Sequence, residues 1–233
     1  MSRDLLSRDE WLSGLLGFPA FHLRGAARSL GIGDLPKGRS FIDAKIPLHK
    51  IEEIRHLQKL GFYFVDVNMQ MRRDAKPLSI ATGICRFASS ADEDQVRHIA
   101  AHSFSVSRFH LDANIPNETA NRIKAEWAGN FFRGGRGDWM VVAEEEGAPA
   151  GFLQILKWDD KEFLIDLIAV SEESRVRGLG RAMIAFAGRY CFGKSAAMRV
   201  GTQAANINSL NFYSALGFSF ISASYVLHLH TGV

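Results

Sequence analysis

The chain has 233 residues, 47% of them hydrophobic and 23% charged, a balance that suits one large core or two smaller ones and argues against disorder. Its formal net charge is only +3, and the basic residues are scattered among acidic ones, which excludes a surface built to follow a nucleic-acid backbone. No run reaches the roughly 18 to 20 apolar residues of a membrane span, and the opening MSRDLLSRDEW carries charges where a signal peptide is apolar, so the expected location is cytoplasmic.

Ser7 and Glu10 have the spacing of a capping box before a short apolar helix through Leu16, followed by a strand over Ala20 to Leu23. Gly25 to Gly38 reads as loop. Phe41 to Ile46 is a predicted strand, Leu48 to Leu60 has apolar residues at helical spacing, and Gly61 can close that helix before a strand over Phe62 to Met71. The aperiodic stretch Arg72 to Thr82, with Asp74, Lys76 and Pro77, resembles a linker. It divides a small N-terminal α/β domain, residues 1–80, from a larger domain, residues 81–233.

In the larger domain a strand Gly83 to Phe87 precedes a second capping box, Ser90 with Glu93, and a helix to about Ser103. Pro116 opens a helix ending near Phe131, after the loop Val106 to Ile115. Trp139 to Glu144, Ala150 to Trp158 and Glu162 to Val170 form a predicted antiparallel meander, turning at Glu146-Gly147 and Asp159-Asp160. A Gly-containing loop, a helix Gly180 to Phe192, a strand Met198 to Thr202, a helix Ser209 to Leu216 and a long strand Phe218 to His230 complete a mixed α/β layer pattern. The last strand alternates large residues such as Tyr225, Leu227 and Leu229 with smaller or polar ones, so a free edge there would suit a homodimer. Gln58 to Phe64 parallels Ser214 to Phe220, each a helix end passing into a strand, as if the N-terminal domain were a decayed half-copy. Cys85 and Cys191 lack a CxxC partner and are expected to be buried free thiols.

The chemistry concentrates after the strand ending at Val170. In Arg175-Val176-Arg177-Gly178-Leu179-Gly180, the glycines let backbone approach a ligand, and the free amides and positive dipole end of the helix that follows favour a pyrophosphate. Arg175, Arg177 and Arg181 add positive charge. Such a loop alone is also simply a way to turn a strand into a helix. Here it is followed by a second pattern, Asn206 ahead of Tyr213 and then Gly217-Phe218.

On these two motifs, in this order, the stretch from about Phe87 to His230 resembles the GNAT superfamily of N-acetyltransferases. Ser107-Arg108-Phe109, Trp127 with Asn130, Arg199-Val200 and Thr202-Gln203 extend the likeness to the TDP-fucosamine acetyltransferase family, whose members also carry a smaller N-terminal domain. An Arg-rich pyrophosphate loop is a departure from that pattern. The resemblance implies a GNAT fold with a smaller N-terminal domain like a degenerate half-GNAT, acetyl-CoA as donor, and an acceptor amine on a nucleotide-linked 4-amino-4,6-dideoxyhexose. Attack would be direct, in a ternary complex.

By the same resemblance, the Arg175 to Arg181 loop and Asn206 hold the cofactor, and backbone amides at Ile168, Ala169 and Val170 face the acetyl carbonyl. Tyr213 gives a proton to the departing thiolate, the competing interpretation being an aromatic packed on the sheet. Ser107, Arg108, Phe109, Asp112 and Trp127 belong to the acceptor side, where Arg108 could pair a phosphate and Phe109 stack on a base, or else form a solvated loop. The base stays open among Asp166, Glu126, His102 and a water chain. His98 and His102 have a ligand-like spacing but no evident third partner, so no metal is expected. Arg133-Gly134-Gly135-Arg136-Gly137 reads as a flexible connection. Leu57 stands where Tyr213 does in the echo, so the N-terminal domain is expected to bind no CoA. Two rivals remain: an N-acetyltransferase for a protein, peptide or polyamine amine, and a non-catalytic acyl-CoA-binding module, which the presence of Tyr213 and Asn206 disfavours.

Overall fold

The computed structural model describes residues 5–74, 76, 78–190 and 197–232. Cys191, Phe192 and Pro77, each assigned a place from the sequence, lie outside the described residues. The strands are β1 (Leu6–Arg8), β2 (Ala20–Leu23), β3 (Ser40–Pro47), β4 (Tyr63–Asp74), β5 (Cys85–Phe87), β6 (Trp139–Glu145), β7 (Ala148–Lys157), β8 (Glu162–Val170), β9 (Ala197–Gln203) and β10 (Ser219–Thr231). The helices are α1 (Glu10–Leu16), α2 (Ile51–Lys59), α3 (Glu93–Ser103), α4 (Asn117–Gly129), α5 (Leu179–Tyr190) and α6 (Ile207–Ala215).

All the described strands join one mixed sheet, in the order β1-β2-β3-β10-β4-β9-β8-β7-β6-β5. Pairing is antiparallel except at β2/β3 and β8/β9. The meander β6 to β8 forms as the sequence predicts, and the β6–β7 hairpin turns on Glu146 and Gly147, both at positive φ, the conformation that matches strand twist. β10 is paired along both sides, to β3 and to β4, so it is not the free edge its alternation allowed.

Local chemistry sets several boundaries differently from the sequence reading. Helix α1 is capped by Asp9, whose Oδ1 accepts from the Leu12 amide at 2.8 Å, while Ser7 sits in β1 opposite His22. At α3 the box is Ser89 with Asp92, the Ser89 amide donating to Asp92 Oδ2 at 2.7 Å, and a single 3-10 turn intervenes before the helix. Arg72 to Asp74 do not open a linker but extend β4, paired to Arg199, Met198 and Ala197 of β9. Gly25 to Gly38 contains two short 3-10 turns within the loop.

Helix α5 buries Leu179, Met183 and Phe186 against one sheet face with Leu153, Ile165 and Val200, while α3 and α4 cover the other with Val96, Ile99 and Ala128 against Phe152, Leu167 and Ala169. Ile165 and Leu167 share a parity yet face opposite cores. The β7/β8 register accounts for this: Gln154 pairs Leu167 and Ile155 pairs Ile165, leaving Asp166 as an extra residue that reverses the alternation. A third core joins α2 to β3 and β10 through Leu57, Ile42 and Leu227, and a fourth joins α1 to α4 through Leu12 and Ile123.

Candidate active site

Strands β8 and β9 pair in parallel only from Glu162 opposite Ala197 to Ile165 opposite Val200. Beyond the Asp166 bulge they part, leaving the β9-facing backbone edge of β8 toward Ile168, Ala169 and Val170 without a strand beside it. A cavity of about 320 Å³ opens at this split, lined by Ile168, Gly201, Thr202, Asn206 and Tyr213, among others. Ile168 lines it while packing against the α5 core, whereas Ala169 packs into the α3/α4 core.

From Val170 the chain passes through a 3-10 turn, Glu172–Ser174, into the loop and then α5. Gly178 takes φ +85°, a conformation strained for other residues, and its carbonyl accepts from the Ala182 amide at 3.0 Å. A Cβ at Gly180 would come within 3.1 Å of the Phe212 ring, so α5 and α6 approach closely because that position is glycine. Val176 also has positive φ and is fully exposed, while Leu179 is buried as the anchor of the turn. The first amides of α5 have no acceptor within the helix. Arg175 and Arg181 are exposed without an ion pair among the described residues, and Arg177 meets Glu145 at 3.2 Å. Glycine backbone, free amides and guanidinium groups thus form a cradle suited to a pyrophosphate.

Asn206 caps α6, its Oδ1 accepting from the Ser209 amide at 3.1 Å. This fixes the helix that carries Tyr213, which is 3% exposed, wedged edge-on against Phe212 and Phe218, and part of the cavity wall. Its hydroxyl has no hydrogen-bond partner among the described residues, and burial pushes the phenol well above its ordinary pKa, so it stays protonated at neutral pH.

Asp166 also lines the cavity. Arg136 holds it with two hydrogen bonds of 2.7 Å, and Trp127 Nε1 donates at 2.8 Å and Gln154 Nε2 at 3.2 Å. These donors occupy the carboxylate and disfavour it as a base. Glu126 is tied to Arg97 and Arg133, and His102 lies outside the cavity, its Nδ1 donating to the His98 carbonyl at 2.8 Å. The His98 and His102 rings lie 4.4 Å apart, and among the described residues no three metal-ligating side chains converge.

Ser107, Arg108, Phe109 and Trp127 all reach the cavity, but the first three are committed to the fold. Ser107 Oγ bonds His110 Nδ1 at 2.6 Å. Arg108 pairs with buried Asp43 of β3 and lies 4.5 Å over the ring of Phe109, which is itself 1% exposed and a core residue. Burial works to raise the Asp43 pKa, but Arg108 and His22 hold it below the ordinary carboxylate range. Asp43 and Asp9 bond His22 and raise it to about 9. Asp112 does not join the cavity; it accepts from Tyr63 Oη at 2.6 Å, His228 at 2.7 Å and His230 at 3.0 Å in a separate buried cluster. Arg136, Lys45 and Lys124 line the cavity too, and neither motif nor spacing marks them. The stretch read as a flexible Arg-Gly connection is where Arg136 reaches Asp166.

Fold, split sheet and glycine loop are those of a GNAT-type N-acetyltransferase domain. Residues 91–218 match the Acetyltransferase (GNAT) family, and the chain belongs to it. That family uses acetyl-CoA as its acetyl donor. The chain is 29% identical over 142 residues to the spore coat polysaccharide biosynthesis protein SpsD of Bacillus subtilis (strain 168), covering 60% of this chain and 48% of that protein. It thus spans about half the length of this curated relative. Among solved structures, a GCN5-related N-acetyltransferase from Sphaerobacter thermophilus superposes with a TM-score of 0.60 at 14% identity, over 91% of this chain and 72% of that one. A tandem GNAT protein from the clavulanic acid biosynthesis pathway gives 0.56 at 14%, over 83% and 65%. At these identities the likeness is one of fold.

Proposed function

We propose that the chain is an acetyl-CoA-dependent N-acetyltransferase that acetylates the amino group of a nucleotide-linked amino-deoxy sugar, of the TDP-4-amino-4,6-dideoxyhexose type. The observation that carries acetyl transfer is the buried, unpartnered hydroxyl of Tyr213 at the split between β8 and β9, with the Gly178–Gly180 cradle following β8. The sugar acceptor draws support from the polysaccharide role in the name of the Bacillus relative and from the cationic side chains that line the cavity.

In this reading, acetyl-CoA supplies the thioester whose carbonyl the amine attacks. Arg175, Val176, Arg177, Gly178, Leu179, Gly180 and Arg181 bind the pyrophosphate through backbone amides and guanidinium charge. The free edge of β8 at Ile168 to Val170 orients amide donors toward the carbonyl oxygen. Asn206 fixes α6, and Tyr213 holds the proton that the departing sulfur takes up. The amine loses its proton to water, since Asp166 and Glu126 are held by arginines. No covalent enzyme intermediate is required. Cys85, whose thiol burial raises to about 11, is no part of the cavity wall. The first 80 residues act as a supporting unit that closes the acceptor side and binds no CoA.

The test is thiol release from acetyl-CoA with TDP- and UDP-linked amino sugars, peptides and polyamines, for the native protein and Tyr213→Phe. Turnover on an amino-sugar nucleotide that collapses in the variant supports the proposal. Turnover only on peptides or polyamines moves the acceptor to that class, and tight acetyl-CoA binding without turnover makes the chain a regulatory module.

A further inference from the structure

The cavity wall carries a surplus of positive charge. Its carboxylate, Asp166, is matched by Arg136, and Arg108 and Arg199 are matched by Asp43 and Glu162 behind the wall. Lys45 and Lys124 have no ion pair among the described residues. Lys45 is the one exposed residue between Ser40 and Ile46 of β3. Lys124, on α4, is 8% exposed, with its ammonium 4.7 Å from the centre of the Phe104 ring and 4.8 Å from that of Trp127. They come from two elements far apart in the chain yet line the same cavity as Tyr213. A buried ammonium, here that of Lys124, costs free energy unless an anion or dense hydrogen bonding offsets it, and the Lys45 ammonium on the same cavity wall repels it.

We infer that Lys45 and Lys124 form a diphosphate-binding subsite for the acceptor, fixing its anionic part so that its amine meets the acetyl group near Tyr213. This rests on the reading of the cavity as the acceptor site. A diphosphate is the anion that suits them: two ammonium point charges from separate walls fit two phosphoryl groups, while the fork-shaped guanidinium groups nearby are spent on carboxylates. The subsite is distinct from the glycine cradle, because β3 lies beyond β9, β4 and β10 from β8. Both electrostatic neighbours of Lys124 other than Asp166, namely Arg108 and Lys45, are cationic and depress its pKa further after burial has lowered it, so an incoming anion relieves repulsion as well as gaining attraction.

The experiment titrates inorganic pyrophosphate into the CoA-bound protein by calorimetry, comparing the native chain with Lys45→Met, Lys124→Met and Lys124→Arg. The expected result is at least a tenfold loss of pyrophosphate affinity in both methionine variants, partial retention in Lys124→Arg, and unchanged CoA affinity, which also reports an intact fold. Steady-state kinetics then give a tenfold or larger rise in KM for the TDP-linked amino sugar with kcat little changed, and no effect on the phosphate-free methyl glycoside of the same sugar. Pyrophosphate affinity equal in all variants, or glycoside kinetics lost in parallel, overturns the subsite. Lysine-dependent pyrophosphate binding without turnover of any amino-sugar nucleotide supports the subsite and overturns the acceptor assigned above.

Discussion

The backbone carbonyls of Leu57 and Tyr213 do the same task in two places: each accepts a 3.0 Å hydrogen bond from the amide just ahead of the following strand, Phe62 in one case and Phe218 in the other. In both, a glycine at positive φ, Gly61 or Gly217, ends the helix. The echo noticed between the two segments is therefore one of geometry. What differs is the side chain: Leu57 is fully buried in an apolar core, while Tyr213 presents a hydroxyl to a cavity.

Tyr213→Phe removes that hydroxyl and keeps the ring packed against Phe212 and Phe218, so stability should change little. If the phenol is the proton donor, kcat falls by about 10² to 10⁴ with KM for acetyl-CoA nearly unchanged. Stopped assays of thiol release alongside thermal melts check both halves.

Gly178→Ala meets open space but must adopt φ +85°. The expected cost is about 1 kcal/mol of stability, read by chemical denaturation, together with weaker CoA binding as the loop relaxes away from its cradle shape. Gly180→Val is the harsher change, because its side chain enters the Phe212 ring.

His22 carries a pH dependence. Hydrogen bonds that it donates to Asp43 first, then to Asp9, raise it from 6.5 to about 9, against burial and the repulsion of Arg108. The folded state therefore holds a proton that the unfolded chain releases, and this stabilisation is complete below pH 6.5 and lost as pH climbs through 9. His22→Gln should cost about 2 kcal/mol near pH 6, allowing for partial exposure, and almost nothing at pH 10. Urea titrations at the two pH values measure the difference.

Lys124 has the opposite sign. Burial lowers it from 10.5 to about 8, with Arg108 and Lys45 pushing the same way and Asp166 opposing. Below pH 8 the folded state bears a charge it would rather shed, so Lys124→Met should stabilise the ligand-free protein by up to about 3 kcal/mol at pH 7. The gain shrinks as pH rises from 8 toward 10.5, where native folded and unfolded chains lose the proton alike. A melting series over that interval decides it.

Most strands, the long helices and the glycine loop after β8 were legible in the sequence because each is a local pattern: alternation, helical spacing, or glycines between a strand and a helix; β1, only Leu6–Arg8, was too short to show one. The caps slipped by a residue or two, at Asp9 and Ser89, because several polar residues in a row can each satisfy the same free amides and only the tertiary approach selects one. The rest of the cavity wall was mostly illegible. Lys45 and Lys124 come from β3 and α4, and no local signal distinguishes a cavity lysine from one on a solvated helix. Arg108 and Phe109 were visible as residues but not as a buried ion pair and a core ring, since Asp43, their distant partner, is an isolated acid in an apolar strand. Nor could the alternation of β10 say whether it had one neighbour or two.

The place of β10 between β3 and β4 governs how the molecule can be made. A ribosome emits β3 and β4 early and β10 after every other strand, so the two early strands wait, with their shared gap open, through the translation of everything between. Phe41, Ile42 and Met71, all fully buried in the finished sheet, stay at hand for chaperones or for one another during that interval. Completion of the N-terminal part is thus coupled to emergence of β10 from the exit tunnel, and a nascent chain stalled before Ser219 has its glycine loop made while β3 and β4 still lack the strand that joins them.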